Sequence, residues 1–310
     1  MREAGRAITD DRTVTGGPSL PMRDRRSVPV PPSLVAAVGS ATHAGRVRPK
    51  NEDYVLSEVP DDLAVCGSRG SLFLVADGVG GAGGGSIASA EAAHTVLQEY
   101  YLDRRGDPGR HLRRAIERAN LHVYNMRMGH PDLSGMQTTL TALVLMPRQG
   151  LRASLAHARS GYAVGPGTSQ SAREPGRARY WVGHVGDSRL LLLRGGVLRQ
   201  LTRDHTFVEE MRRLGLVDPR RAGMHSHSHL LTRAIGGDPL VAVDLRAGRP
   251  YPGDCFILAT DGLFEHLTAE DVRAAFTNCP PAEAAAACVE EANRRGGFDN
   301  LTVLGVKVVG

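Results

Sequence analysis

An α+β sandwich, two mainly antiparallel sheets packed together with helices on their outer faces, is the fold the sequence predicts. Three observations lead there. Strand-length apolar runs rich in Val, Ile, Leu and Phe recur along the chain, as in SLFLVADG (71–78), TTLTALVLM (138–146), ARYWVGHVGDS (178–188) and CFILATDG (255–262). Helical patterns arrive in pairs, 86–102 with 110–127 and then two starting near Thr268 and Pro281, so strands and helices do not alternate as a parallel sheet requires. The 310 residues, 41% hydrophobic and 23% charged, suit one generous globular domain.

Residues 1–33 lack apolar periodicity and end in SVPVPPS, which predicts a disordered N-terminal extension before a domain spanning 34–310. A first hairpin is expected through VAAVGSATHAG (35–45) and DYVLSEV (53–59). The strand 71–76 delivers Asp77 to a Gly-rich turn, and a helix follows over 86–102 with Ser86 as its N-cap. In the helix 110–127, Leu112, Ile116, Ala119, Val123 and Met126 share one face. Residues 149–177, with their Gly, Ser, Arg and Pro, predict a flexible hairpin insertion. RLLLLRGGVLRQLT (189–202) predicts a hairpin turning at Gly195-Gly196. Residues 206–230 read as a helical excursion off the sheet, LVAVDL (240–245) and DCFILAT (254–260) as strands, and LTVLGVKVV (301–309) as the last strand.

Composition excludes several classes. The formal net charge is +5, but basic and acidic residues are interleaved and only 5% of residues are aromatic, which argues against nucleic acid. A mildly basic surface suits phosphorylated, acidic partners. No apolar run approaches the roughly 20 residues that span a bilayer, and the N-terminus lacks a secretory apolar stretch. Cys66, Cys255, Cys279 and Cys288 form no CxxC pair, so the expectation is a reduced, cytoplasmic protein; a monomer with no membrane partner is also expected.

The chemistry rests on carboxylates. Asp77, Asp187, Asp261 and Asp299 each sit where an apolar run meets a polar turn. A carboxylate at the rim of a core is costly to desolvate unless a cation or hydrogen bonds compensate it. Four of them predict a shared metal centre, and all-oxygen ligands favour Mg²⁺ or Mn²⁺ over zinc. Two such ions about 3.5–4 Å apart would share a hydroxide and clamp the attacking and departing oxygens of a phosphoryl group. Arg48, three residues before Asn51-Glu52-Asp53, offers a fork for two phosphate oxygens, and Glu52 and Asp53 are placed to orient water around the ions.

These residues also carry a resemblance. THAGRVRPKNED (42–53), VADGVGG (75–81), TTLTALVL (138–145), VGDSRLLLLR (185–194), LTRDHT (201–206), LTRAIGG (231–237), ILATDGLFEHL (257–267) and FDNLTVLGVKV (298–308) follow in that order. The series resembles the metal-dependent Ser/Thr protein phosphatases of type 2C, the PPM family, and its bacterial members in particular. The resemblance spans roughly residues 38–308 and implies a four-layer α-β-β-α sandwich. It implies that Asp77 bridges two Mn²⁺ or Mg²⁺ ions with the Gly78 carbonyl on one of them. Asp261 and Asp299 complete the other ion's protein ligands. Asp53 and Glu52 act mainly through water, and Asp187 with Asp261 forms a weaker third metal site. Arg48, Asp77 and Asp261 are then the catalytic set, Arg48 binding the substrate phosphate. Residues 206–230 become a flap, and phosphoproteins, including Ser/Thr kinases and their substrates, become the partners. Val79 stands where many eukaryotic members have His, and Gln137 where the family usually has Gly.

Other readings of the same residues are weaker. GVGGAG (78–83) fits the GxGxxG of an NAD-binding turn, but no second βα unit follows. His225, His227 and His229 alternate as zinc ligands do, yet without a paired Cys or second His motif they read as a solvated loop. His184 reads as a packed strand residue. A phosphatase-like binding module without turnover would not need a full set of carboxylates.

Overall fold

Why the apolar runs are continuous rather than alternating becomes plain from the layers they form. A computed structural model describes residues 35–79, 84–102, 105–147, 178–216 and 230–309. The extension 1–33, the insertion 149–177, the turn 80–83 and most of the excursion 206–230, including His225, His227 and His229, lie outside the described residues.

In chain order the first strands and helices are β1 (Val35–His43), β2 (Asp53–Glu58), α1 (Leu63–Arg69), β3 (Ser71–Val79), α2 (Gly84–Leu102) and α3 (Pro108–Gly129). Then come β4 (Gln137–Thr138), β5 (Leu140–Met146), β6 (Arg179–Val185), β7 (Arg189–Arg194), β8 (Val197–Gln200) and α4 (Phe207–Arg213). The chain closes with β9 (Asp244–Gly248), β10 (Cys255–Ala259), α5 (Asp261–His266), α6 (Ala269–Asn278), α7 (Pro281–Arg294) and β11 (Leu301–Val309). One sheet runs β1-β11-β10-β7-β8 and the other β2-β3-β5-β6-β9, with β4 added at the end of β3. Every pairing is antiparallel.

Between the sheets lie Phe73, Val75, Leu143 and Val182 from one and Leu190, Phe256, Leu304 and Val306 from the other. The alternate residues face outward but are no less buried. Leu72, Leu74, Ala142 and Val144 pack with Ala92, Val96, Leu112 and Ile116 of α2 and α3. Ile257, Ala259 and Val303 pack with Phe276, Ala284 and Val289 of α6 and α7. Strands covered on both faces lose the in-out alternation of a solvent-facing sheet. The four-layer α-β-β-α order follows.

Several boundaries differ from those the sequence suggested. β1 and β2 are not a hairpin: β1 pairs along nine residues with β11, and β2 along six with β3, in the other sheet. The intervening segment 44–52 is longer than an ordinary hairpin turn, and each strand gains a full-length partner by crossing between sheets. Ser86 lies inside α2, which begins at Gly84. α3 begins two residues earlier than expected, with Asp107 capping it (N–H of Arg110 to Oδ2, 3.0 Å) and Pro108 in its first turn. LVAVDL yields strand only from Asp244. TTLTALVLM is interrupted at Thr139, between β4 and β5. The β7–β8 turn is as predicted: Gly195 and Gly196 take φ of +55° and +78°, open to glycine at little cost. α6 has a reciprocal cap between Thr268 and Asp271. The antiparallel neighbours of β3 also remove the NAD-binding reading, which needs parallel strands around its turn.

Candidate metal centre

Asp53 and Asp77 are direct cross-strand partners on β2 and β3. Three groups hold the Asp77 backbone where the β4–β5 interruption leaves the ladder incomplete. Its N–H donates to Thr139 Oγ1 (3.0 Å), and its carbonyl accepts from Thr138 Oγ1 (2.8 Å) and the Thr139 N–H (2.9 Å). Thr139 Oγ1 also meets Ser188 Oγ at 2.7 Å, tying β3 to the turn that carries Asp187. That turn depends on Gly186, whose φ is +108° and whose missing side chain leaves space for Thr139. The Gly186 N–H donates to His205 Nδ1 (3.1 Å) and its carbonyl accepts from the His205 N–H (2.8 Å).

From the other sheet, β10 is followed by Thr260, whose hydroxyl donates to Asp53 Oδ2 (2.9 Å). Asp261 then opens α5, so it stands at a helix start rather than on a strand. Gly262 lets that helix press against Asn300, with no room for a Cβ. Asp299 stands two residues before β11. Its Oδ1 accepts from the Asn300 N–H (2.8 Å), and its Oδ2 from Arg48 Nη2 (2.6 Å).

Asn300 fastens the Arg48 segment. Its Oδ1 accepts from the Glu52 N–H (2.8 Å), and its Nδ2 donates to the carbonyls of Ala44 and Lys50 (both 2.9 Å). The Arg46 N–H adds a bond to the Gly297 carbonyl (2.7 Å). Glu52 lies at the start of α2, where a Cβ on Gly85 would come within 2.9 Å of its carboxyl carbon and 2.7 Å of the Gly78 carbonyl oxygen.

The electrostatics report how closely these groups gather. Burial pushes Asp53 up to about 7, with Asp261 and Asp299 adding to it against the pull of Thr302 and Thr260. Burial pushes Asp187 up to about 8, with Asp261 and then Asp204 adding to it. Asp77 rises well above the carboxylate range, first from burial and then from Asp53, Asp261 and Asp187. Arg48 is held charged chiefly by Asp299, with Asp77 and Glu265 contributing. Five carboxylates and one guanidinium therefore share a neighbourhood. Among the described residues no three such side chains stand as a finished ligand cage. The donor set nevertheless fits a cation: Asp53 Oδ1 is buried without a hydrogen-bond partner, and the surrounding carboxylates repel one another.

Comparison with solved structures decides the family. The PPM Ser-Thr phosphatase MsPP from Mycobacterium smegmatis, solved with cacodylate, is 31% identical, with 88% of this chain and 98% of that chain covered and a TM-score of 0.66. The catalytic domain of the Ser/Thr protein phosphatase PstP, solved with two manganese ions, is 31% identical over 89% of this chain and 100% of that one, with a TM-score of 0.68. This chain belongs to the bacterial PPM phosphatases. Curated PstP from Mycobacterium tuberculosis is 31% identical over 277 residues, 89% of this chain. The chain spans about half, 46%, of that relative's length. No family model matches it.

For this PPM chain, sequence reasoning located the acidic residues and missed what holds them. Thr139, Ser188, Thr260 and Asn300 lie within the motif strings, next to the residues they position, but hydroxyl and amide roles leave no periodic signal. His184 is the packed residue it was expected to be: buried, with Nδ1 at 2.8 Å from Thr141 Oγ1 and Nε2 at 2.9 Å from the Arg203 carbonyl. Burial lowers it to about 3, so it is a neutral imidazole at working pH.

Proposed function

We propose that this chain hydrolyses phosphoserine and phosphothreonine monoesters on proteins, using two Mn²⁺ or Mg²⁺ ions held by the carboxylates at the rim of the sandwich. One observation carries the reading: in a PPM chain, Asp53, Asp77, Asp187, Asp261 and Asp299 share one neighbourhood with a half-exposed arginine at its mouth.

Asp77, surrounded by Asp53, Asp187 and Asp261, would be the carboxylate to hold both ions. Asp261 and Asp299 would serve one ion. Asp53 and Glu52 would orient its waters, and Asp187 with Asp261 would offer a third, weaker position. Gly78 would contribute its carbonyl. When bound, the ions would supply an acidified water and positive charge to offset the phosphoryl oxygens.

Arg48 has the remaining task. Its guanidinium is already at the mouth and fully charged, and its geometry suits two phosphoryl oxygens at once. Its bond to Asp299 engages one of the five N–H donors and anchors the guanidinium beside the carboxylates, leaving the others for phosphoryl oxygens. Asn300 keeps the loop that carries it in place. Phosphoproteins, with Ser/Thr kinases and their targets among them, are the partners this chemistry serves.

The test is hydrolysis of p-nitrophenyl phosphate and of a phosphothreonine peptide with Mn²⁺ and with chelator. The expected result is turnover of both that chelator abolishes. Metal-independent turnover would contradict the reading, and none under either condition would favour a binding module.

A further inference from the structure

Three exposed apolar side chains are the chain neighbours of site residues. Val47 precedes Arg48, Val79 follows Gly78, and Phe298 precedes Asp299; they are 64%, 43% and 59% exposed. A single exposed hydrophobe needs no explanation. Three around an otherwise acidic mouth do.

Two of the three sit on tethered backbone. The Val47 segment is bonded at Arg46, Lys50 and Glu52. The Phe298 N–H donates to His266 Nε2 (3.0 Å), and its ring lies 4.9 Å from the His266 ring, centroid to centroid. Gly296 leaves room for that ring: a Cβ there would come within 2.9 Å of Cζ. The Arg46–Gly297 bond brings the Val47 and Phe298 segments side by side. Val79 is two residues beyond Asp77 on β3, so it shares that residue's face of the strand. All three side chains remain exposed beside residues of the site.

We infer that Val47, Val79 and Phe298 form an apolar rim that binds an apolar side chain next to the phosphorylated residue of the substrate. The inference rests on the phosphatase reading and deepens it. With the phosphate on Arg48, an extended peptide advances about 3.3–3.6 Å per residue, so the adjoining residue reaches the chain neighbours of Arg48 and Asp299. An apolar side chain there would cover surface now facing water. A charged one would have to shed water against Val and Phe. The favoured occupant is therefore a phosphopeptide segment with Leu, Val, Ile or Phe beside the phosphothreonine.

The test measures kcat/KM with Mn²⁺ on phosphothreonine peptides that differ only at the flanking positions: Leu, Phe, Ser, Glu or Lys. The wild type should favour Leu and Phe over Ser by about tenfold. In Val47→Ser/Phe298→Ser that ratio should fall towards one, mainly through a higher KM for the apolar peptides. Leu102→Ser, an exposed residue at the end of α2, should keep the wild-type ratio. A flat wild-type profile, or a preference for a charged neighbour, overturns the inference while leaving the phosphatase reading intact. The same ratio in the double variant as in the wild type also overturns it. Absence of metal-dependent turnover of any peptide and of p-nitrophenyl phosphate overturns both.

Discussion

Asp77 shows what a single residue contributes and what holding it there costs. Its carboxylate is buried beside Asp53, Asp187 and Asp261, an arrangement that favours a bound cation and opposes the metal-free fold. Asp77→Asn should therefore do two things at once. Mn²⁺-dependent hydrolysis of a phosphothreonine peptide should fall to background, and the melting temperature of the metal-free protein at pH 8 should rise. At about 2–4 °C per kcal/mol for a chain of this size, the gain is resolvable calorimetrically. Loss of activity with a lower metal-free melting temperature would mean that the carboxylate is not under repulsion. Thr139 is the companion case. Thr139→Val removes the acceptor for the Asp77 N–H and the partner of Ser188. It should lower kcat/KM about 10–100-fold, in the range for residues that orient metal ligands. The stability cost should be about 1–3 kcal/mol, both read by kinetics and denaturant melts. The aspartates were legible in the sequence because each stands where an apolar run meets a polar turn. Thr139 was not, because its role comes from a break between two strands that only the fold reveals.

Among the elements, the strands were easy to read and their partners were not. β10 and β11 announce themselves by apolar runs, but nothing in VAAVGSATHAG says that its partner lies at the other end of the chain. Proximity in sequence favoured a hairpin, and a nine-residue register with β11 won. Gly39 and Gly305, directly paired across β1 and β11, record the consequence. A side chain on Gly39 would run into the Ala282 backbone of α7, and one on Gly305 into the Phe276 ring of α6. Gly39→Ala should cost about 1–3 kcal/mol, the range for overpacking, with α7 displaced. A denaturant melt within experimental error of wild type would show that α7 does not sit that close. At the same scale, α5 and α1 were absent from the sequence reading. Both are short, six and seven residues, too brief for an apolar period to emerge.

Taken whole, the molecule concentrates unfavourable charge at one edge of its sandwich, and this sets its pH response. Asp53 and Asp187 have folded-state values of about 7 and 8, well above the ordinary value of 3.8. Between pH 4 and 8 the folded protein holds more protons at these groups than the unfolded chain. Stability linked to them is complete below about pH 4 and lost as pH rises through 7 to 8. The metal-free melting temperature should thus decline between pH 5 and 8, and saturating Mn²⁺ should flatten the decline. A melting temperature that climbs over this range without metal would contradict the crowding of carboxylates. The four-layer order was legible at this scale from paired helices and recurrent strand runs. The resemblance of the ordered motifs added the family, and the solved relatives established it.

The central claim is that these acidic side chains form a binding site for two divalent ions. Calorimetric titration of the chelator-treated protein with Mn²⁺ at pH 7.5 tests it most directly. The account predicts at least two equivalents bound by the wild type and loss of the tighter sites in Asp77→Asn and Asp261→Asn. Binding of less than one equivalent by the wild type, or an unchanged isotherm in both variants, would contradict it.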